Sequence, residues 1–156
     1  FTPEKRSAVM ALIRSTGNKD TELKLMALLR EAGVRGWRRH AMIKTGAMRK
    51  PRTKTAPTLG PAGVKVRPDF VFWRKRVAVF VDGCFWHGCP RHGTQPQQNG
   101  AFWSEKILRN RARDRKVVRE LRKEGWTVLR IWECALAPKR VMRTLGRIRK
   151  AVNEGE

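Results

Sequence analysis

Cys84, Cys89, His92 and Cys134 offer three thiols and one imidazole. The first three lie within nine residues, on a stretch that also holds Gly83, Gly88, Pro90 and Gly93; the fourth follows an apolar run ending at Trp132. Four soft ligands suit tetrahedral zinc, and a closed set of four leaves no position for water. Such a zinc is structural: it pins a loop to the end of a distant strand and adds to the folding energy. The competing reading makes Cys134 a buried core residue and the loop pair incidental. Ligation is the better account, because thiols gathered near a histidine need a reason to be there.

A second feature is Arg67-Pro68-Asp69-Phe70. A carboxylate at the mouth of a β-hairpin can hold Mg²⁺ against a scissile phosphate, since Mg²⁺ prefers carboxylate, water and phosphate oxygens. Alone, Pro-Asp before a strand is a weak signal and reads better as an ordinary turn. His40 stands among cations with no ligand neighbour in sequence and reads as functionally silent. Glu105 reads as a surface partner of nearby cations.

These groups must be positioned by elements whose signals are unequal. Thr2 and Pro3 predict an N-cap and first helical residue, opening a basic helix to about Arg14. Residues 15–19 form a turn, after which Asp20 is expected to cap a second helix with Leu23, Met26, Ala27 and Leu29 on one side and Gly33 at its end. Residues 41–66, rich in Gly, Pro, Thr and cations, predict a long basic loop that either contacts nucleic acid or is disordered. Residues 69–73 and 77–81 predict two strands joined by a tight turn at Arg74, Lys75 and Arg76. A loop over 82–100, a long basic helix over 102–124 ended by Gly125, a strand over 126–132 and a last helix from Pro138 to about Val152 complete the order α-α-β-loop-β-β-loop-α-β-α. Trp73, Trp126 and Trp132 are expected in the core. This order fits an α/β fold with a mixed central sheet and helices on both sides.

The chain has 156 residues, of which 36 are Lys or Arg and 13 Asp or Glu, for a formal net charge of +23. That excess predicts a polyanionic partner, with DNA or RNA ahead of a membrane surface. Apolar residues make up 40 %, enough for a real core rather than a disordered tail. A single domain spanning 1–156 is expected. No stretch suits a bilayer span and no signal-peptide pattern opens the chain. Three cysteines, an odd number, argue against a disulfide framework and for metal ligation in a reducing cytoplasm.

The run Val79-Phe80-Val81-Asp82-Gly83-Cys84-Phe85-Trp86-His87-Gly88-Cys89 resembles the very short patch repair endonucleases, T:G mismatch nickases with a restriction-endonuclease-like, PD-(D/E)xK-type fold. The resemblance extends through Arg67-Pro68-Asp69, Arg113-Asp114-Arg115 and Trp132-Glu133-Cys134-Ala135-Leu136, and at the front through Arg6-Ser7, Met10 and Ile13-Arg14. Only residues 41–66 depart strongly, being longer than the link expected there. Asp82 replaces a histidine found in the best-known member.

The resemblance implies a nick with a 5′-phosphate, made 5′ of the T in a T:G mismatch. It implies Mg²⁺ at Asp69 and the backbone carbonyl of Val81, with Asp82 a further candidate ligand. His87 would act on water or a phosphate oxygen, and Glu22 and Asp114 would position waters around the ion. Phe85, Trp86 and Trp103 match aromatics that wedge between base pairs, although each ring has an alternative place in the core. The expected partner is mismatched double-stranded DNA, bound by a cytoplasmic, nucleoid-associated monomer, with other repair proteins as further candidate partners. Two rival readings are a restriction- or defence-type nuclease without mismatch requirement, and a zinc-bound nucleic-acid-binding protein without activity.

Overall fold

The computed structural model describes residues 2, 4–5, 18–46, 63–94, 97 and 99–154. In chain order these give helix α1 (Glu22–Glu31), strands β1 (Arg38–Arg39), β2 (Ile43–Lys44), β3 (Lys65–Val66), β4 (Phe70–Phe72) and β5 (Val77–Asp82), helix α2 (Gly100–Lys123), strand β6 (Thr127–Trp132), a 3₁₀ turn (Glu133–Leu136) and helix α3 (Pro138–Asn153). The Lys5 N–H donates to Thr2 Oγ1 at 3.4 Å, the contact expected of an N-cap. The rest of the helix expected up to Arg14 lies outside the described residues.

The main sheet runs β1-β4-β5-β6, antiparallel across β1–β4 and β4–β5 and parallel across β5–β6. Its period-2 alternation sorts side chains onto two faces. Phe70, Phe72, Val77, Val79 and Ile131 pack with Leu25 and Leu29 of α1 and Leu145 and Ile148 of α3. Val71, Ala78 and Val128 pack on the other face with Val117 and Leu121 of α2. The mixed sheet with helices on both sides fits the restriction-endonuclease-like arrangement expected from the sequence. No helix among the described residues is long and apolar enough to cross a membrane.

Helices α1 and α2 stop in the same way. Gly33 (φ +69°) and Gly125 (φ +79°) take left-handed backbone. Val34 N–H returns to Leu29 O at 2.9 Å and Trp126 N–H to Leu121 O at 3.0 Å, the Schellman pattern in both cases. The second turn delivers Trp126 into the core and starts β6 at once.

Three expectations are corrected. Asp20 does not cap α1: its N–H bonds Asn18 Oδ1 at 3.0 Å, while Glu22 Oε1 accepts the Asn18 N–H at 3.3 Å. The ends of the 41–66 segment are not loop. Ile43 pairs with Val66 and Lys44 with Lys65 in a two-stranded ribbon, and the Gly46 N–H donates to Glu124 Oε1 at 3.0 Å. Ile43 is buried against the α2 face of the sheet, which is what holds such short strands in place. Residues 47–62 lie outside the described residues. Trp73 is not core either: it is 43 % exposed, stacked edge-on against the buried Trp126 at 5.4 Å.

Candidate active site and metal centre

The end of β5 carries the chemistry. Antiparallel pairing with β4 sets Phe70 opposite Val79, so Asp69 comes level with Phe80 and its side chain reaches the next residue, Val81. The Val81 N–H donates to Asp69 Oδ2 at 2.7 Å, and among the described residues no hydrogen bond reaches Oδ1. Glu22 and His40 complete a group whose ligand atoms lie within 4.8 Å of one another. Burial, with further repulsion from Glu22 and Asp82, outweighs the Val81 hydrogen bond and the pull of His40 and raises the Asp69 pKa to about 6. A half-buried carboxylate so placed offers a hard oxygen that suits Mg²⁺.

His40 therefore has the neighbours its sequence context does not show. Its Nε2 lies 2.7 Å from Glu22 Oε2, which also accepts from Arg39 Nη2 at 2.7 Å. His40 adopts φ +50°, a conformation a non-glycine residue rarely takes, and its N–H meets Asp69 O at 3.3 Å. Glu22 is 3 % exposed, so protein groups rather than water meet its carboxylate, Arg39 and His40 among them.

A second group joins Asp82, His87 and Asp114. His87 Nδ1 is 2.5 Å from Asp114 Oδ2 and 3.9 Å from Asp82 Oδ1. Asp82 is 4 % exposed, and both its oxygens are taken by the Arg130 guanidinium, Nε to Oδ2 at 2.7 Å and Nη2 to Oδ1. Arg130 Nη2 also reaches Asp114 Oδ1 at 3.2 Å, and its guanidinium lies 4.9 Å above the Phe80 ring. Burial opposes the charge on Asp114, but the His87 hydrogen bond and the Arg130 and Arg113 charges prevail and lower its pKa. Sequence reasoning misses Arg130. Its one signal is a lone cation inside an apolar strand, Val128-Leu129-Arg130-Ile131-Trp132.

The loop after Asp82 folds so that Cys84, Cys89, His92 and Cys134 place their ligand atoms within 4.8 Å of one another. Cys89 Sγ is 3.9 Å from both Cys134 Sγ and His92 Nδ1. A zinc tetrahedron with about 2.3 Å metal–sulfur arms has edges near 3.8 Å, so the donor set fits that ion. Burial pushes the Cys84 thiol up to about 12. At Cys89 burial is overcome by hydrogen bonds from the backbones of Arg91 and His92 and from the His92 ring, and the pKa falls to about 6. Cys134 is half-buried beside this pair, not a plain core residue. Gly88 is required where the loop passes α2, because a Cβ there would lie 2.9 Å from Ile107 Cγ2 at φ +64°. Asn110 on α2 and Glu133 beside β6 anchor the loop at the Trp86 carbonyl (2.9 Å) and the Cys84 N–H (3.1 Å).

Phe85, Trp86 and Trp103 meet one another rather than the core, with ring centroids 5.3 to 5.8 Å apart. Lys106 Nζ lies 5.3 Å from the Trp86 ring and 5.2 Å from Trp103, and Phe102, 53 % exposed, extends the group outward.

A mixed sheet that gathers carboxylates and histidines at one strand end offers the groups that phosphodiester hydrolysis needs. Residues 61–92 match the family described as DNA mismatch endonuclease Vsr. The chain is 37 % identical over 139 residues to the type II nicking enzyme V.XorIIP of Xanthomonas oryzae pv. oryzae, covering 88 % of this chain and 85 % of that protein. It is 59 % identical over 71 residues to the type II nicking enzyme V.NaeI of Lentzea aerocolonigenes, where the match spans 46 % of this chain and only 43 % of the relative. Over 76 residues it is 43 % identical to the DNA mismatch endonuclease Vsr of Escherichia coli, 48 % of this chain and 49 % of that one. The chain belongs to the Vsr family of DNA endonucleases.

Proposed function

We propose that this protein, acting as one endonuclease domain, uses Mg²⁺ to nick duplex DNA 5′ of the T in a T:G mismatch. The observation that carries the reading is the pair of clusters at the end of β5, Glu22–His40–Asp69 and Asp82–His87–Asp114, with a +23 chain to hold the substrate. Names given to relatives, mismatch endonuclease and nicking enzyme, support the choice of one strand over two.

Asp69 Oδ1 and the Val81 carbonyl would hold the ion. Mg²⁺ there supplies neutralisation of the charge that builds on the phosphate and makes water a better nucleophile. His87 is steered by Asp114 at Nδ1, which leaves Nε2 to exchange a proton with the attacking water or a phosphate oxygen. Asp82 is occupied by Arg130, so its part is to fix that guanidinium and the floor under His87 rather than to ligate. Glu22, held by Arg39 and His40, keeps a negative wall beside Asp69. A structural zinc on Cys84, Cys89, His92 and Cys134 would fix the loop that carries His87. The Phe85, Trp86 and Trp103 group would insert beside the mispair, where unstacking costs least.

The test is nicking of an end-labelled T:G duplex beside its T:A counterpart, with and without Mg²⁺, wild type against Asp69→Ala. Magnesium-dependent, single-strand cleavage of the mismatch that disappears in the variant is expected. Equal cleavage of both duplexes would remove the mismatch requirement, and cleavage by Asp69→Ala would remove the proposed centre.

A further inference from the structure

The zinc loop separates two flanks. On one side the loop faces Trp103 and Ile107 of α2; on the other, a cavity of about 410 Å³ opens between the loop and α3. Arg91 of the loop and Arg140, Arg143 and Arg147 of α3 line it, with Cys89 and Cys134 in its wall. Spacings of three, four and seven residues place the three helical arginines on one face. Among the described residues none of the four guanidinium groups meets a carboxylate. Elsewhere helical cations do find acids, as Arg109 finds Glu105, Lys123 finds Glu120 and Lys150 finds Glu154.

This arrangement costs the helix. Like charges three and four residues apart repel. Arg140 and Lys139 also stand in a first turn that holds no acidic residue, where the helix dipole disfavours cations. A wall of unpaired guanidinium groups around one cavity is what polyanion binding requires, and Arg offers the planar fork that phosphate oxygens accept. The place is also right. β5 and β6 are parallel with Asp82 opposite Trp132, so the site residues and the start of α3 emerge at the same end of the sheet.

We propose that this cavity is a second phosphate site, which grips the backbone of the bound duplex away from the nicked step, on the flank opposite Trp103 of α2. The proposal rests on the reading of the protein as a duplex nuclease. Arg140 to Arg147 covers about 10 Å of helix at 1.5 Å per residue. A DNA strand presents one phosphate per roughly 3.4 Å of axis, so two to three phosphates are within reach.

The test is binding without divalent metal, by anisotropy of labelled duplexes from about one to about two and a half helical turns long. Wild type is compared with Arg140→Gln/Arg143→Gln/Arg147→Gln. On the long duplex the slope of log K against log salt should flatten by about 2 to 3, at roughly 0.9 for each phosphate no longer neutralised. On the shortest duplex the two proteins should bind alike. Arg147→Gln alone should flatten the slope by about 1 on the same scale and guards against misfolding of the triple variant. An unchanged slope on the long duplex overturns the proposal, as does an equal loss at every length, which marks a diffuse field and not a contact. Inorganic phosphate that raises the wild-type melting temperature more than the variant's, with equal DNA slopes, assigns the cavity to a small anion and also overturns it. Failure of wild type to bind any duplex would instead bring down the nuclease reading beneath it.

Discussion

Arg130 takes both carboxylate oxygens of Asp82, one strand over and 48 residues back, and still reaches Asp114 on α2. One guanidinium thus ties the strand end that follows Val81 to the helix that steers His87. Arg130→Met should leave Asp82 buried without the guanidinium that holds both its oxygens, a cost of about 3–5 kcal/mol. Adding Asp82→Asn should recover much of it. Urea denaturation of the two variants measures both quantities; a single variant as stable as wild type would show that the pair contributes nothing to the fold.

Because Asp82 is already engaged, Asp82→Asn should leave the Mg²⁺ concentration for half-maximal nicking unchanged. A severalfold rise in that concentration would make Asp82 a ligand after all.

Asp114→Asn should lower the nicking rate by about 10²–10⁴, the scale of losing a general acid–base group. DNA affinity should hold, since the change lies at His87 and not at the phosphates. Single-turnover rates at saturating DNA separate the two effects, and a loss confined to affinity would contradict the assignment.

Asp69 gives a pH dependence of definite sign. Its folded pKa of about 6 exceeds the ordinary 3.8, so the folded state holds the proton more tightly. Its contribution to stability is full below about 4 and is lost as pH rises through about 6. Asp69→Asn should therefore stabilise the protein above pH 6 without added divalent metal, by about 1–3 kcal/mol from a shift of about two units. Below pH 4 the gain should vanish. Denaturation midpoints across this range decide it; a pH-independent difference would trace the effect to packing instead.

His40 offers a test of the Glu22 pair. His40→Ala removes one partner of a carboxylate that is 3 % exposed, and should cost about 1–3 kcal/mol of stability. His40→Gln, which can still donate to Glu22, should regain part of it. Equal loss in both variants would attribute the effect to the left-handed backbone at this position.

Protein purified without chelator should carry one zinc ion per chain by elemental analysis, and Cys134→Ser should weaken its retention and lower the melting temperature. Full retention with unchanged melting would exclude Cys134 from the set.

Residue type and short-range spacing make Cys84, Cys89 and His92 visible in the sequence as a local pattern, whereas Asp69 and the distant Cys134 stand out only beside the longer runs that carry the resemblance. Gly33, Gly125 and Pro138 mark helix ends because each acts through its own backbone. His40 and Arg130 are silent in the sequence because their partners are 18 and 48 residues away, and nothing beside them shows it. The ribbon of Ile43–Lys44 and Lys65–Val66 is hidden by its brevity and by the insertion between its strands. Trp73 misleads for another reason: alternation places it at a strand end, where a large ring can lie on the surface over Trp126.

The parallel pairing of β5 with β6 has a consequence for synthesis. Asp82, His87 and the loop residues Cys84, Cys89 and His92 leave the ribosome well before Asp114, Arg130 and Cys134. Until the chain has grown past residue 134, Asp82 lacks its guanidinium and the loop lacks its last thiol. Neither group of side chains can therefore be complete on a nascent chain before residues 130 and 134, respectively, have been added.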